Sequence, residues 1–184
     1  MTSTVGFAHP KTNAQALGIE HGMKVADFGA GSGAYTFELA HLVGSNGTVY
    51  AVDIQQDLLK RIANEARHRA LAHVEILCGD LEQVHGSKIP DGIIDLVLIS
   101  NILFQVPDKI ALLEEARRVL KRSGRLAIID WQDSFKGLGP HPDHVVTKDS
   151  ALEFAARAGF VPLREFAAGA HHYGILLRQA SHTD

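Results

Sequence analysis

A chain of 184 residues lies near the upper end of one ordinary domain, and 46% apolar with 21% charged residues is the usage of a globular protein. No apolar run approaches the roughly 18 residues of a membrane span, and a formal charge of -3 supplies no basic field to draw the chain onto nucleic acid. The opening residues Met1 to Pro10 carry neither a basic nor an apolar secretory segment, and the lone Cys78 can close no internal disulfide, so a single cytoplasmic domain over residues 1–184 is expected.

From Lys24 onward, short β-branched runs alternate with amphipathic stretches, the pattern of βαβ units in a parallel sheet. Residues 23–28 read as a first strand, 29–33 as a glycine loop and 34–43 as the helix it opens. A turn at 44–47 leads into a strand over 48–54, a helix over 55–71 and a strand over 74–78, with Cys78 as a buried strand thiol. Residues 93–100 form a fourth strand, nearly continuous in apolar residues as a central strand covered on both faces must be. Pro107 suits the first position of the next helix, Ile110, Leu113, Ala116 and Leu120 repeat at helical spacing, and Gly124 ends it. A fifth strand over 125–131 is followed by a Gly/Pro/His-rich loop to about Val146, a helix over 150–158, and two strands, 160–166 and 172–178, joined by a hairpin. The hairpin reverses the last strand, so the expected fold is α/β: a Rossmann-like, mainly parallel seven-stranded sheet with a reversed final strand and helices on both faces. Two basic clusters, Lys60/Arg61/Arg67/Arg69 and Arg117/Arg118/Lys121/Arg122, read as solvated helix faces.

The chemistry concentrates in Val25 to Gly33, where a strand runs into Gly29, Gly31 and Gly33 before a helix. Such a loop lets backbone approach a ligand closely and aims helix N–H groups at it. Gly29, Gly31 and Ala34 also satisfy the dinucleotide fingerprint, so an NAD-dependent oxidoreductase is one alternative. Asp53 ends the second strand 20 residues after Gly33, where a carboxylate can hold both ribose hydroxyls of either adenosine cofactor. Asp27 separates the two: a buried carboxylate before the loop repels a pyrophosphate but suits an ammonium and a sulfonium. Asp80 and Leu81, after the third strand, can read an adenine amine and ring face.

These residues resemble the class I S-adenosylmethionine (SAM)-dependent methyltransferases, in the branch related to ubiquinone/menaquinone biosynthesis methyltransferases. The likeness spans roughly residues 12–178. Asp27 to Gly33 is similar to the family's first motif, Val52-Asp53-Ile54 to its ribose-binding acid, Gly79-Asp80-Leu81 to its adenine-contacting motif, and Asp95 to Val106 to its fourth-strand motif. Arg118 to Gly124 is similar in spacing to the segment before the fifth strand, with Arg125 where a second glycine is usual. The resemblance implies S-adenosylmethionine as donor, held by Asp27, Gly29, Gly31, Gly33, Asp53, Ile54, Asp80, Leu81 and Asn101. It also implies an acceptor pocket above the carboxyl ends of the first and fourth strands.

Methyl transfer from a sulfonium needs orientation and exclusion of water more than a catalytic triad. A base is required where the acceptor must lose a proton. Ser100 to Gln105 lacks the Asn/Asp-Pro-Pro-Tyr-like run of many amino methyltransferases, and a single cysteine matches neither cytosine carbon methyltransferases nor the cysteine set of arsenite methyltransferases. A small-molecule acceptor is the remaining reading. Acceptor-side candidates are Asn101, Gln105, Trp131, Asp133, His141, His144 and His171, each of which also has a bland reading as a cap, core or surface residue. The His-x-x-His spacing of His141 and His144 is no closed zinc pattern, and no metal is expected. A SAM-binding protein without turnover is a further alternative, and the oligomeric state is not legible.

Overall fold

The apolar run of the fourth expected strand lies at the middle of a seven-stranded sheet in the computed structural model, which describes residues 8–135 and 139–181. In chain order the elements are α1 (Pro10–Gln15), β1 (Lys24–Phe28), α2 (Ala34–Val43), β2 (Thr48–Asp53), α3 (Gln56–His68), β3 (Val74–Cys78) and β4 (Ile94–Ser100). They continue with α4 (Lys109–Val119), β5 (Leu120–Trp131), a 3-10 turn (Pro142–His144), α5 (Lys148–Arg157), β6 (Phe160–Gly169) and β7 (His172–Gln179). The sheet order is β3-β2-β1-β4-β5-β7-β6. The first five of these are parallel, and β7 runs antiparallel to both β5 and β6. The reversed final strand is therefore present, and it is inserted between β5 and β6.

Strand alternation builds a core on each face. Val97 and Ile99 point with Phe28, Val52 and Ile128 toward Leu112, Leu113 and Ala116 of α4 and Ala151 and Ala155 of α5. Leu96 and Leu98 point the other way, with Val25, Ala51 and Ile129, toward Leu39 and Ala40 of α2 and Leu59 and Ile62 of α3. Because both faces are covered, ligand access is left to the strand ends. In an open α/β sheet the crevice lies at the carboxyl ends.

Several boundaries differ from the sequence expectation. Asp108, not Pro107, starts α4: its side chain accepts the Ala111 amide at 3.0 Å, and an N-cap carboxylate sets a helix start more firmly than a proline nearby. Gly124 does not end that helix, which stops at Val119. It sits instead where the β4–β5 register shifts, and a Cβ there would lie 2.9 Å from the Ile94 carbonyl oxygen, so the glycine serves a close backbone approach. Thr147 caps α5, which begins at Lys148, and β6 continues to Gly169. The six-residue α1 was not expected. Cys78 is half-buried, with its thiol 3.7 Å from the Ile54 carbonyl. Arg118 is no solvated side chain either: only 14% of it is exposed, and it binds Glu115 and Asp91.

Candidate active site

The glycine loop between β1 and α2 is stitched to the end of β2. The Gly29 and Ala30 amides donate to the Val52 carbonyl at 2.8 and 3.0 Å, and the Gly31 amide donates to Asp53 Oδ2 at 2.9 Å. Gly29 has φ +79°, and a Cβ there would stand 2.6 Å from Ile102 Cγ2, so both backbone and space require glycine. At Gly31 (φ +54°) a Cβ would meet only the Gly29 carbonyl oxygen, at an ordinary 3.8 Å, whereas Gly33 caps α2 and packs against Phe37 and Ile62. Gly33 therefore shapes the loop from behind.

Beside this loop lie two adjoining cavities of about 380 and 230 Å³. Gly29, Asp53, Gln55, Ile102 and Gln105 line both. The larger also touches Asp27, Gly31, Tyr35, Ser100 and Asn101, with Ala8 and Pro10 of the N-terminal segment over it. The smaller is bounded by Ile54, Gly79, Asp80, Leu81 and Glu82. Asp53 thus stands at the junction. It is 7% exposed and already accepts the Gly31 and Gln55 amides, one on each oxygen at 2.9 Å. Those amides fix the carboxylate, and each oxygen keeps a second lone pair for a ligand hydroxyl.

Asp27 is 2% exposed and accepts the Thr36 hydroxyl at 2.6 Å. Burial drives its pKa from the ordinary 3.8 to about 6, with Asp53 adding repulsion against the pull of Thr36. Two carboxylates without an opposing cation among the described residues at this end fit a positively charged ligand group. Asn101 adds a second sign: it adopts φ +56°, and its buried Oδ1 has no hydrogen-bond partner among the described residues. The smaller cavity differs in character, since Leu81 and the 64%-exposed Ile54 offer apolar surface beside Asp80. An ammonium-bearing chain in one lobe, a ribose at the junction and an adenine in the other match these donor sets.

Asp80 is held by its own loop. It accepts the Glu82 amide at 3.0 Å, and a Cβ on Gly79 would stand 1.9 Å from the Gly86 carbonyl oxygen, so the loop closes on itself at two glycines. Sequence reading found Gly79 but missed Gly86, Tyr35, Gln55 and Ser100. The Tyr35 hydroxyl accepts from Asn13 Nδ2 at 3.0 Å, and Asn13 also reaches the Ala168 carbonyl at 2.9 Å, which anchors α1 over the larger cavity. A polar Asn13 at an apolar spacing was the available signal.

Of the acceptor-side candidates, Asn101 and Gln105 line the cavities, and Gln105 Nε2 donates to the Asn101 carbonyl at 2.8 Å. Trp131, Asp133, His141, His144 and His171 are not among the described lining residues. Trp131 sits at the carboxyl end of β5 against the His172 ring, with centroids 4.2 Å apart. His171 pairs with Asp133 at 2.7 Å and stacks on Phe135. His141 and His144 face each other at 6.0 Å in the exposed loop. Among the described residues no three His, Cys, Asp or Glu side chains gather as a metal would need.

The methyltransferase domain family matches residues 19–159 of this chain. The chain belongs to the SAM-dependent methyltransferase family. The match covers the glycine loop, the smaller cavity and all of the larger one except Ala8 and Pro10, and with it S-adenosylmethionine, rather than a nicotinamide dinucleotide, is the cofactor. The chain is 32% identical over 159 residues to a ubiquinone/menaquinone biosynthesis C-methyltransferase of Shewanella sp. (strain ANA-3), covering 78% of this chain but 62% of that protein. It is also 32% identical over 134 residues to an arsenite methyltransferase of Aquipseudomonas alcaligenes, covering 66% of this chain and 38% of the relative. It thus spans less than two thirds of the curated relatives it matches. A solved SAM-dependent methyltransferase from Aquifex aeolicus superposes with a TM-score of 0.85 at 27% identity, covering 96% of this chain and 93% of the other. No described helix is long and apolar enough to cross a membrane.

Proposed function

We propose that this methyltransferase is a single-domain cytoplasmic enzyme that transfers the methyl group of S-adenosylmethionine to a small-molecule acceptor, with no nucleic acid involved. The observation that carries the reading is the unlikeness of the two lobes: Asp27 and the unpartnered Asn101 Oδ1 at one end, Leu81 and Asp80 at the other, and Asp53 between them. In this reading Asp27 and Asn101 receive the ammonium group, Asp53 the ribose hydroxyls, Asp80 the adenine amine, and Ile54 and Leu81 the ring. Bound S-adenosylmethionine supplies a methyl carbon activated by its sulfonium leaving group. The residues around it orient that carbon and keep water out.

The acceptor enters from the carboxyl ends of β4 and β5, where Asn101, Gln105 and Trp131 stand, with the loop after Trp131 and the N-terminal segment shaping specificity. A lone cysteine gives this chain no thiol cluster, which disfavours arsenite as its acceptor. The test is incubation with methyl-labelled S-adenosylmethionine and a small-molecule cell extract. A labelled small molecule that depends on the protein supports the proposal. Label confined to protein or nucleic acid would replace the acceptor class, and cofactor binding without transfer to any fraction would leave a binding protein in place of an enzyme.

A further inference from the structure

Asp130 is a buried acid that no part of the donor site uses directly. It lies at the carboxyl end of β5, 1% exposed, beside the turn that leaves β4. Its Oδ2 accepts the Leu103 amide at 3.0 Å and its Oδ1 the Trp131 amide at 2.8 Å, with the Ile102 amide also directed at it. The turn it holds is the one that lines both cavities through Ile102 and Gln105. Ile102 rests against Gly29 closely enough that a Cβ on the glycine could not fit, and Asn101, which lines the larger lobe, keeps its positive φ with a buried Oδ1 that has no partner among the described residues.

We propose that Asp130 is a positioning residue for the donor site: by gripping the backbone after Asn101 it seats Ile102 on the glycine loop and holds the Asn101 side chain in the cavity. The inference rests on the donor-site reading above. A carboxylate can accept on both oxygens at once, whereas a carboxamide in the same place must turn a donor toward one of the amides. Among the described residues the titratable side chains facing Asp130 are Lys109 of α4, which favours its charge, and Tyr173 of β7, its partner in register, whose buried hydroxyl has no hydrogen-bond partner among them. Burial outweighs the amides and Lys109 and lifts the Asp130 pKa to about 7. Below neutral pH the group gains a proton, one oxygen becomes a donor, and part of the grip on the turn is lost.

The experiment is calorimetry with S-adenosylhomocysteine on wild type, Asp130→Asn and Asp130→Ser from pH 6 to 8.5, with thermal midpoints measured on the same samples. At pH 8 the folded variants are expected to bind at least tenfold more weakly than wild type. The wild-type loss of affinity as pH falls through about 7 should be absent from them, leaving the inflection near 6 that belongs to Asp27. A lowered midpoint with affinity within twofold of wild type would reduce Asp130 to a structural role and overturn the proposal. If neither variant folds, amide exchange on wild type decides: saturating S-adenosylhomocysteine should slow exchange at Leu103, and an unchanged rate overturns the proposal. A wild-type protein that binds no S-adenosylhomocysteine would instead remove the donor-site reading itself.

Discussion

Thr36, in the first turn of α2, donates its hydroxyl to Asp27 at the end of β1 across 2.6 Å, so the helix that the glycine loop opens also fixes the acid that precedes the loop. The carboxylate is oriented before any ligand arrives, yet the Thr36 hydroxyl and amide cannot replace the hydration lost on burial. Its raised pKa is the measure of that deficit.

The sign of the resulting pH dependence follows from proton uptake. With a pKa of about 6 in the folded chain against 3.8 ordinarily, Asp27 favours the ligand-free fold most below about pH 4 and loses that contribution as pH rises through 6. At pH 7.5 the ionised acid costs on the order of 2–3 kcal/mol. Asp27→Asn keeps an acceptor for Thr36, so it should raise the ligand-free thermal midpoint at pH 7.5 while weakening S-adenosylmethionine binding at least tenfold. A lower midpoint with unchanged affinity would mean that the carboxylate serves the fold and not an ammonium group.

Asp53 should behave differently, because two backbone amides already hold its carboxylate. Asp53→Ala removes the charge-assisted pair of hydrogen bonds proposed for the ribose, each worth about 1.5–3 kcal/mol, and also releases the Gly31 and Gln55 amides. Calorimetry is expected to show at least a tenfold loss of S-adenosylmethionine affinity with cooperative unfolding retained. Wild-type affinity would place the ribose elsewhere.

What the sequence made legible has a physical pattern. Strand alternation and the glycine loop are local signals, so β1 to β4, the loop and the positions of Asp27, Asp53 and Asp80 could be read along the chain, whereas β5 begins at Leu120 and not at Arg125. Long-range partners could not. Nothing local announces that Gly86 closes on Gly79, that Gly124 lies under the Ile94 carbonyl, or that Asn13 reaches both Tyr35 and Ala168. The misplacement of Arg118 has the same origin: helical spacing put it on a basic face, but Glu115 three residues earlier turns inward and takes it along.

That pair gives a stability prediction. Glu115 is 3% exposed and accepts the His85 and Ser87 amides together with two contacts from Arg118, at 2.7 and 2.8 Å. Burial pushes its pKa up, but the Arg118 and Ser87 hydrogen bonds outweigh it and hold the group at about 2. Its contribution is therefore complete above the ordinary 4.5 and lost as pH falls toward 2. Glu115→Gln leaves Arg118 without its main partner and should cost about 3–5 kcal/mol at pH 7, with the difference from wild type shrinking in acid. Denaturant titrations at pH 7 and pH 3 would check both points, and a cost independent of pH would show that packing, not charge, is at stake.

The acceptor side rests on position, and Trp131 is its most exposed commitment. The indole ends β5 at the edge where the crevice of an open sheet lies, it packs on the His172 ring, and a Cβ on Gly139 would come within 2.7 Å of it, so the backbone of the long loop lies across its face. Trp131 does not line the lobes assigned to the donor. Removing it should therefore act on the acceptor and leave the donor alone. Trp131→Ala is expected to lower methyl transfer to the acceptor found by labelling while S-adenosylmethionine affinity stays within about threefold, a change of roughly 0.7 kcal/mol that is too small for loss of a principal donor contact. Gly139→Ala should move activity in the same direction by displacing the loop from the indole. Full turnover in both folded variants would move the acceptor away from this edge, and loss of cofactor binding in Trp131→Ala would make the loop a cover for the donor.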